Sequence, residues 1–117
     1  MKQKFKIFLA QLNPTGGDIE GNYKILISAR ERALKEKVDI ILAPEMFLSG
    51  YPIDDLVLRP DFMHLVEKHI NKLAETTKMG PAIIVGAPRK DNGVLRNSAF
   101  ILELNSLHCS RLDSLIT

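Results

Sequence analysis

The chain has 117 residues, 45% of them hydrophobic and 26% charged, which suits a single domain with a core of its own. Its 16 basic and 14 acidic residues are interleaved without a basic stripe, which argues against nucleic acid as a partner, and no apolar run approaches the roughly 20 residues of a membrane span. The start "MKQKFKIFLAQLNP" is interpreted as a strand rather than a signal peptide, and the single cysteine, Cys109, fits a reducing cytoplasm without an internal disulfide.

Two strands flank the first predicted helix. Residues 5–12 ("FKIFLAQL") are almost continuously apolar, which predicts a strand covered on both faces. Residues 38–43 ("VDIILA") predict a second buried strand. Between them, Asp18 is the predicted N-cap of a helix that ends near Glu36. Its inward stripe follows the helical period and comprises Ile19, Tyr23, Leu26, Ala29 and Ala33.

The second half continues the alternation and then changes to a hairpin. A helix is predicted from near Pro60 to Thr77, followed by strands at 82–87 and 97–104 that are joined through the turn-forming pair Asn92-Gly93. The inward positions of this helix are Phe62, Leu65, Val66, His69, Ile70 and Leu73. The order β-α-β-α-β-β predicts an α/β fold with a layered sheet, parallel at first and antiparallel later. The last stretch, 105–117, lacks the turn signals found upstream, and no element is predicted there.

Glu45 is the first candidate for chemistry. It follows Pro44, which keeps Ala43 out of the helical region, so the strand stays extended to its end. The glutamate is thereby delivered at the carboxyl edge of a parallel strand, where open α/β sheets build their sites. The apolar neighbours at 46–48 would suit this carboxylate to acid–base work near neutrality. The alternative is a solvent-facing glutamate that merely ends a strand.

Three other features have ordinary explanations. Ser49 lacks the first glycine of the G-x-S-x-G nucleophile motif, so Ser49-Gly50 is interpreted as a turn. The glycine-rich "TGGDIEG" at 15–21 precedes a helix, but it matches neither phosphate-binding spacing and carries an aspartate that repels phosphate. The adjacent pair His108-Cys109 has no further closely spaced ligand, and a structural role is favoured over metal binding.

Four segments of the chain resemble one family. They are "FLAQLNPTGGDIEGN", "IILAPEMFLSGYPIDDLVLRPDF", "GPAIIVGAPR" and "RNSAF". Together they are similar to the start of the glutaminase domain of glutamine-dependent NAD⁺ synthetase, within the carbon–nitrogen hydrolase (nitrilase) superfamily. The Pro-Glu pair after a buried strand marks the superfamily, and "SGYP-x-DDL-x-L-R-P" narrows the resemblance to the synthetases. It covers residues 5 to about 103, which divides the chain into a partial glutaminase domain, 1–104, and a divergent tail, 105–117.

The resemblance implies roles for two residues. Glu45 matches the family's general base, which activates a cysteine nucleophile and later protonates the departing ammonia. Tyr51 falls near this glutamate and is expected to line the glutamine pocket. The family's lysine and cysteine lie beyond the matching segments, and Cys109 comes too early to be the nucleophile. The resemblance therefore predicts a truncated chain that is inactive by itself, with no metal or cofactor of its own. ATP and Mg²⁺ are expected only in the absent synthetase domain.

The same resemblance predicts the first half of a nitrilase-type αββα sandwich. In that fold two sheets pack face to face, so the inner faces of these strands would expose an apolar surface larger than a monomer normally tolerates. The expected partners are glutamine in the full-length family and a second copy or another nitrilase-fold chain; neither nucleic acid nor membrane is expected. Two alternatives stay open beside the glutaminase fragment: a half-domain that associates through this surface, and a small α/β module that binds an anion at "TGGD".

Overall fold

Seven main elements follow one another in the part of the chain that the structure describes. The computed structural model describes residues 4–104 and 106–115, the latter segment and residue 54 through the backbone alone. The elements are β1 (Ile7–Leu9), α1 (Ile19–Lys35), β2 (Ile40–Leu42), α2 (Pro60–Thr76), β3 (Ala82–Asp91), β4 (Val94–Glu103) and β5 (Ser106–Leu115). Short 3₁₀ helices cover Asp54–Leu58 and Thr77–Met79. The predicted order β-α-β-α-β-β is confirmed through β4, and β5 is an additional strand.

The strands form one mixed sheet in the order β1-β2-β3-β4-β5. The first three strands run parallel, whereas β4 and β5 are antiparallel to their neighbours. Asn92 and Gly93 connect β3 to β4 with φ angles of 50° and 79°, as a two-residue hairpin turn requires. β5 pairs along the length of β4, so the segment without predicted structure extends the sheet. The division of the chain at residue 104 stays a prediction.

Helix α1 begins at the cap that the sequence indicates. The Asp18 carboxylate accepts a hydrogen bond of 3.0 Å from the Gly21 amide, which satisfies one of the free N–H groups of the first turn. The predicted inward residues Ile19, Leu26, Ala29 and Ala33 are buried, and Tyr23 is half-buried. In α2 five of the six predicted inward residues are buried. The prediction for the sixth, Leu65, is wrong because its side chain remains 37% exposed. Neither helix in the described ranges combines the length and hydropathy of a membrane span.

The two helices are linked by the buried side chain of His69. Its Nε2 lies 2.8 Å from Glu20 Oε2, and its Nδ1 lies 2.8 Å from the Leu65 carbonyl oxygen. A carbonyl and an ionised carboxylate can only accept hydrogen bonds, so both contacts are satisfied when both ring nitrogens carry protons. The Tyr23 ring packs edge-on against the imidazole, with the centroids 5.0 Å apart. The pair therefore ties α2 to the first turn of α1.

Acid is expected to weaken this link. The hydrogen bond from His69 holds the pKa of the Glu20 carboxyl below its usual value of 4.5. Because the folded state binds this proton more weakly than the unfolded state, the stabilisation is present above about pH 4.5 and is lost as the pH falls through the lower folded-state pKa. Thermal melts between pH 6 and pH 3 should show the difference in Tm between the wild type and Glu20→Gln shrinking in acid. Glu31→Gln, at an exposed site on the same helix, serves as the control, and a pH-independent difference for Glu20→Gln would contradict the expectation.

Both helices cover the same face of the sheet. The covered face carries Ala10, Ile41, Ala43, Ile83, Val85, Ala87, Phe100 and Leu102, all buried. The opposite face, called the open face below, carries Phe5, Ile7, Leu9, Ile40, Leu42, Ile84 and Ile101. On β1 these side chains are 52% exposed at Ile7 and 60% exposed at Leu9. The prediction that the first strand is covered on both faces is therefore wrong, and the open apolar face implied by the family resemblance is observed.

Candidate active site

Glu45 lies directly beyond the carboxyl end of β2. The Ala43 amide donates to the Ile84 carbonyl at 2.8 Å, which keeps the chain in the sheet up to Pro44. The chain then turns, with Met46 in the left-handed region at φ 51°. Residues 46–50 are buried, whereas the Glu45 side chain is exposed. The predicted position at the strand end is thus observed, but the apolar neighbours point into the core and do not surround the carboxylate.

The turn that follows Glu45 packs against Gly86 of strand β3. The Leu48 amide donates to the Gly86 carbonyl at 3.2 Å. A Cβ on Gly86 would collide with the Met46 amide nitrogen and would stand 2.8 Å from the Glu45 Cα. Gly86 alternates with the buried residues Val85 and Ala87, so the turn crosses the open face of the sheet. Only glycine allows the backbone of Glu45 to approach the strand so closely.

Asn22 ties the turn to the preceding loop. This fully buried α1 side chain accepts from the Thr15 amide at 2.8 Å and donates to the carbonyls of Thr15 and Leu48 at 2.9 and 3.0 Å. Gly50, at φ 72°, passes so close to the Thr15 carbonyl that a Cβ there would collide with it. The loop that follows β1 and the turn that carries Glu45 therefore form one hydrogen-bonded unit. Sequence reasoning missed Asn22, although it falls on the inward stripe of α1.

Asn97 contacts the carboxylate itself. Its Nδ2 amide donates a hydrogen bond to Glu45 Oε1, from a strand more than fifty residues away along the chain. Asn97 is only 4% exposed, and its Oδ1 is buried without a hydrogen-bond partner among the described residues. Asn97 lies in the segment "RNSAF", which resembles the family, but the sequence alone predicted no role for this residue. The available signal was a polar run, Arg96-Asn97-Ser98, between the apolar residues at the two ends of this strand.

Tyr51 lies at the rim of the same site. Its side chain is 57% exposed. Partial burial raises the pKa of the phenol, and the negative charge of Glu45 raises it further. The two predicted site residues stand at the two ends of the buried turn formed by residues 46–50. A phenol that stays neutral beside a carboxylate can donate a hydrogen bond to a polar ligand there.

The other sequence candidates do not join this site. Ser49 is fully buried, and its hydroxyl lies 3.3 Å from the Met46 and Gly50 carbonyls, which agrees with a turn and not with a nucleophile. At "TGGD" the Asp18 carboxylate itself occupies the helix start, as the predicted cap. The side chains of His108 and Cys109 lie outside the described residues. Within the part that is described, no cluster of three or more metal-ligating side chains occurs.

One cleft among the described residues lies on the other side of the sheet. It measures about 540 Å³ and is formed between α2 and the β3–β4 hairpin, where Met63, His64, Arg89 and Phe100 contribute to its walls. Glu45 and Asn97 are not among its lining residues. The candidate site therefore lies outside this cleft, on the open face of the sheet.

The described chain is an α/β protein with a glutamate just beyond the carboxyl end of a parallel strand, and open α/β sheets commonly bind their ligands at such strand ends. The sequence model of carbon-nitrogen hydrolases matches residues 6–108, and the chain belongs to that family. The glutamine-dependent NAD(+) synthetase of Thermotoga maritima is 36% identical over 114 residues, which are 97% of this chain and 20% of that protein. The chain thus spans about one fifth of this relative's length.

Solved structures agree with this assignment. The glutamine-dependent NAD⁺ synthetase of Acinetobacter baumannii, in complex with ADP, superposes with a TM-score of 0.85 at 28% identity, over 94% of this chain and 21% of that chain. A variant of the Nesterenkonia AN1 amidase from the nitrilase superfamily superposes with a TM-score of 0.79 at 18% identity, over 97% and 44%. The latter similarity concerns the fold alone. The predicted resemblance to the synthetases and the partial nitrilase-type α/β fold are both confirmed.

Proposed function

We propose that this chain forms part of a glutamine amidohydrolase domain of an NAD⁺ synthetase, to which it contributes the general base Glu45. The observation that carries the proposal is the geometry of this carboxylate. It lies at a parallel strand end, its backbone is fixed against Gly86, and one of its oxygens is hydrogen-bonded by Asn97. A carboxylate held in this way but open on one side can exchange a proton with a group placed above the open face. The names of the similar synthetases support glutamine as the substrate.

In the proposed reaction Glu45 moves protons between the nucleophile and the leaving group. It takes the proton from a cysteine thiol, and the thiolate attacks the side-chain amide carbon of glutamine. The protonated Glu45 then gives this proton to the amide nitrogen as the C–N bond breaks, so that ammonia leaves and a thioester remains. Water hydrolyses the thioester with Glu45 again as base. A lysine would help to stabilise the tetrahedral oxyanion, and Tyr51 would bind the substrate at the rim.

The 117 residues by themselves are expected to be inactive toward glutamine. The family's lysine and cysteine do not occur in the matching context here, and loss of a nucleophile typically costs about 10⁴- to 10⁶-fold in rate. Ammonia release measured with a coupled glutamate dehydrogenase assay should be the same for this polypeptide and for Glu45→Gln. A release above background that Glu45→Gln abolishes would show that the chain holds its own nucleophile.

The DNA downstream of codon 117 tests the proposal independently. We expect a lysine-x-x-leucine-proline stretch followed by a cysteine after a strand, in the same frame or in a shifted one. A polypeptide extended through both residues should release ammonia from glutamine, and Glu45→Gln should abolish this release. An extended polypeptide without glutaminase activity would overturn the proposed function.

Association through the open face is a second candidate function. The observation that favours it is the row of exposed apolar side chains formed by Phe5 (70% exposed), just before β1, and by Ile7 and Leu9 on β1. A second copy or another nitrilase-fold chain could cover this row, since apolar patches of this kind mark interaction sites. Light scattering should then show soluble oligomers that grow with concentration and that Ile7→Lys dissociates. Monomers at all concentrations would remove this candidate.

Two further expectations belong to the same proposal. The chain needs no metal or cofactor for its own part of the reaction, and ATP and Mg²⁺ would act in a synthetase domain formed by other residues. A cytoplasmic location is proposed because a single cysteine suits a reducing compartment.

A further inference from the structure

The environment of Asn97 assigns it a task that the sequence pattern did not suggest. We propose that Asn97 is a positioning residue for Glu45: its Nδ2 amide holds Oε1, so that Oε2 is the oxygen presented for proton exchange. This inference rests on the proposed function for its catalytic meaning. The contact itself can be tested without any activity.

The first support is the contrast in burial between the two partners. Glu45 is exposed, and an exposed glutamate normally samples several rotamers, whereas Asn97 is only 4% exposed and comes from the β4 strand. The hydrogen bond from Asn97 to Oε1 therefore ties a mobile side chain to a rigid one. Because an ionised carboxylate can only accept hydrogen bonds, the amide nitrogen of Asn97 must face it, which also fixes the orientation of the amide.

The second support is an irregularity of the sheet at this point. The register of β4 with β5 shifts between Asn97 and Ser98: Asn97 pairs with Ser114, but Ser98 pairs with Arg111. Such bulges redirect a side chain and are frequent beside active sites. Here the shift occurs at the residue that reaches the carboxylate. Regular pairing resumes from Ser98 toward Glu103.

The third support concerns the other polar atom of the amide, the oxygen Oδ1. Asn97 Oδ1 is buried and has no hydrogen-bond partner among the described residues. Leaving a buried acceptor unpaired is unfavourable, so a side chain kept only for stability would more simply be apolar. Asparagine is suited to the role of donor: aspartate would place a second negative charge against Glu45, and leucine would remove the donor.

The side-chain amide resonances of Asn97 test the contact directly. In the ¹⁵N-labelled chain at low concentration, one Hδ2 proton of Asn97 should lie downfield of those of the exposed residues Asn71 and Asn92. A neutral carboxyl is a weaker acceptor than a carboxylate, so this resonance should move upfield as the pH is lowered from about 7 to about 3, and it should lose this pH dependence in Glu45→Gln. An Asn97 amide that responds to pH no more than that of Asn71 would overturn the proposal.

A second test measures the glutaminase kinetics of the polypeptide that is extended through the lysine and the cysteine. Asn97→Leu should lower kcat by about 10²-fold, as misplacement of a catalytic group does, with little change in KM for glutamine. Asn71→Leu, on the exposed face of α2, should change neither. An unchanged kcat in Asn97→Leu would reject the positioning role. A wild-type polypeptide without activity would instead reject the proposed function, and the amide resonances would still decide the contact.

Discussion

Replacing Asn22 by alanine is expected to lower the free energy of unfolding by about 3 kcal/mol. The substitution removes three hydrogen bonds at once: those to the Thr15 amide and carbonyl, which are partly buried, and that to the Leu48 carbonyl, which is buried. Each such loss costs about 1–3 kcal/mol, and the sum is reduced because water can enter the cavity. Urea unfolding followed by circular dichroism measures the change. It is a large fraction of the stability of a domain of this size.

Two variants separate the hydrogen bonds from the general effect of the substitution. Asn71→Ala removes the same side-chain atoms from an exposed position of α2 and should change stability by less than about 0.5 kcal/mol. Asn22→Asp keeps the acceptor for the Thr15 amide but turns a carboxylate oxygen toward two carbonyls, so it should be at least as damaging as alanine. Equal stabilities of Asn22→Ala and the wild type would refute the role of Asn22 in joining the loop to the turn.

Adding a single methyl group at Gly86 is expected to cost about 2–3 kcal/mol and to displace Glu45. The added Cβ would meet the backbone of Glu45 and Met46, which cannot rotate away as a side chain can. The turn must therefore lift from β3, and the hydrogen bond from the Leu48 amide to the Gly86 carbonyl must lengthen. Urea unfolding of Gly86→Ala reports the stability, and the Asn97 amide resonances report the displaced carboxylate.

Gly93→Asn is the matched control for this substitution. Gly93 lies in the hairpin turn, where a Cβ would meet nothing within 4 Å, and asparagine tolerates its φ of 79°. We expect a cost of no more than about 1 kcal/mol and unchanged Asn97 resonances. Gly86→Ala with wild-type stability and an unmoved Asn97 amide would show that the close approach has no energetic consequence.

The sequence predicted those parts of the fold that local rules govern. Asp18 as a cap, the Asn92-Gly93 turn and the position of Glu45 behind Pro44 each depend on neighbours in the chain, and each is found as expected. β5 was missed because its segment has no turn signals at its ends. The prediction that β1 is covered on both faces was wrong. A continuous apolar run indicates that both faces of a strand avoid water, but it does not show whether this chain itself supplies the layer that covers each face.

The supporting residues of the site could not be deduced in the same way. Asn22 reaches Leu48 across 26 positions, and Asn97 reaches Glu45 across 52. Hydrogen bonds over such separations depend on the packing of elements that no local pattern describes. The local sequence around Gly86 does not show that the turn at Glu45 and Met46 packs against this glycine. A polar residue at an inward position, such as Asn22 on the apolar stripe of α1, nevertheless indicates that a buried hydrogen-bond partner is to be expected.

The turn that carries Glu45 lies on the open face, on the same side of the sheet as the bare apolar row of β1. A layer that covers the whole open face would therefore also cover the carboxylate. Dehydration of the site and completion of the core are then a single event, and electrostatic interactions at Glu45 strengthen only when that event occurs. In a chain without its covering layer, the Glu45 side chain stays exposed to solvent. The fold would thus couple catalysis to assembly, because Glu45 becomes enclosed and shielded from water only after a second layer has packed on the open face.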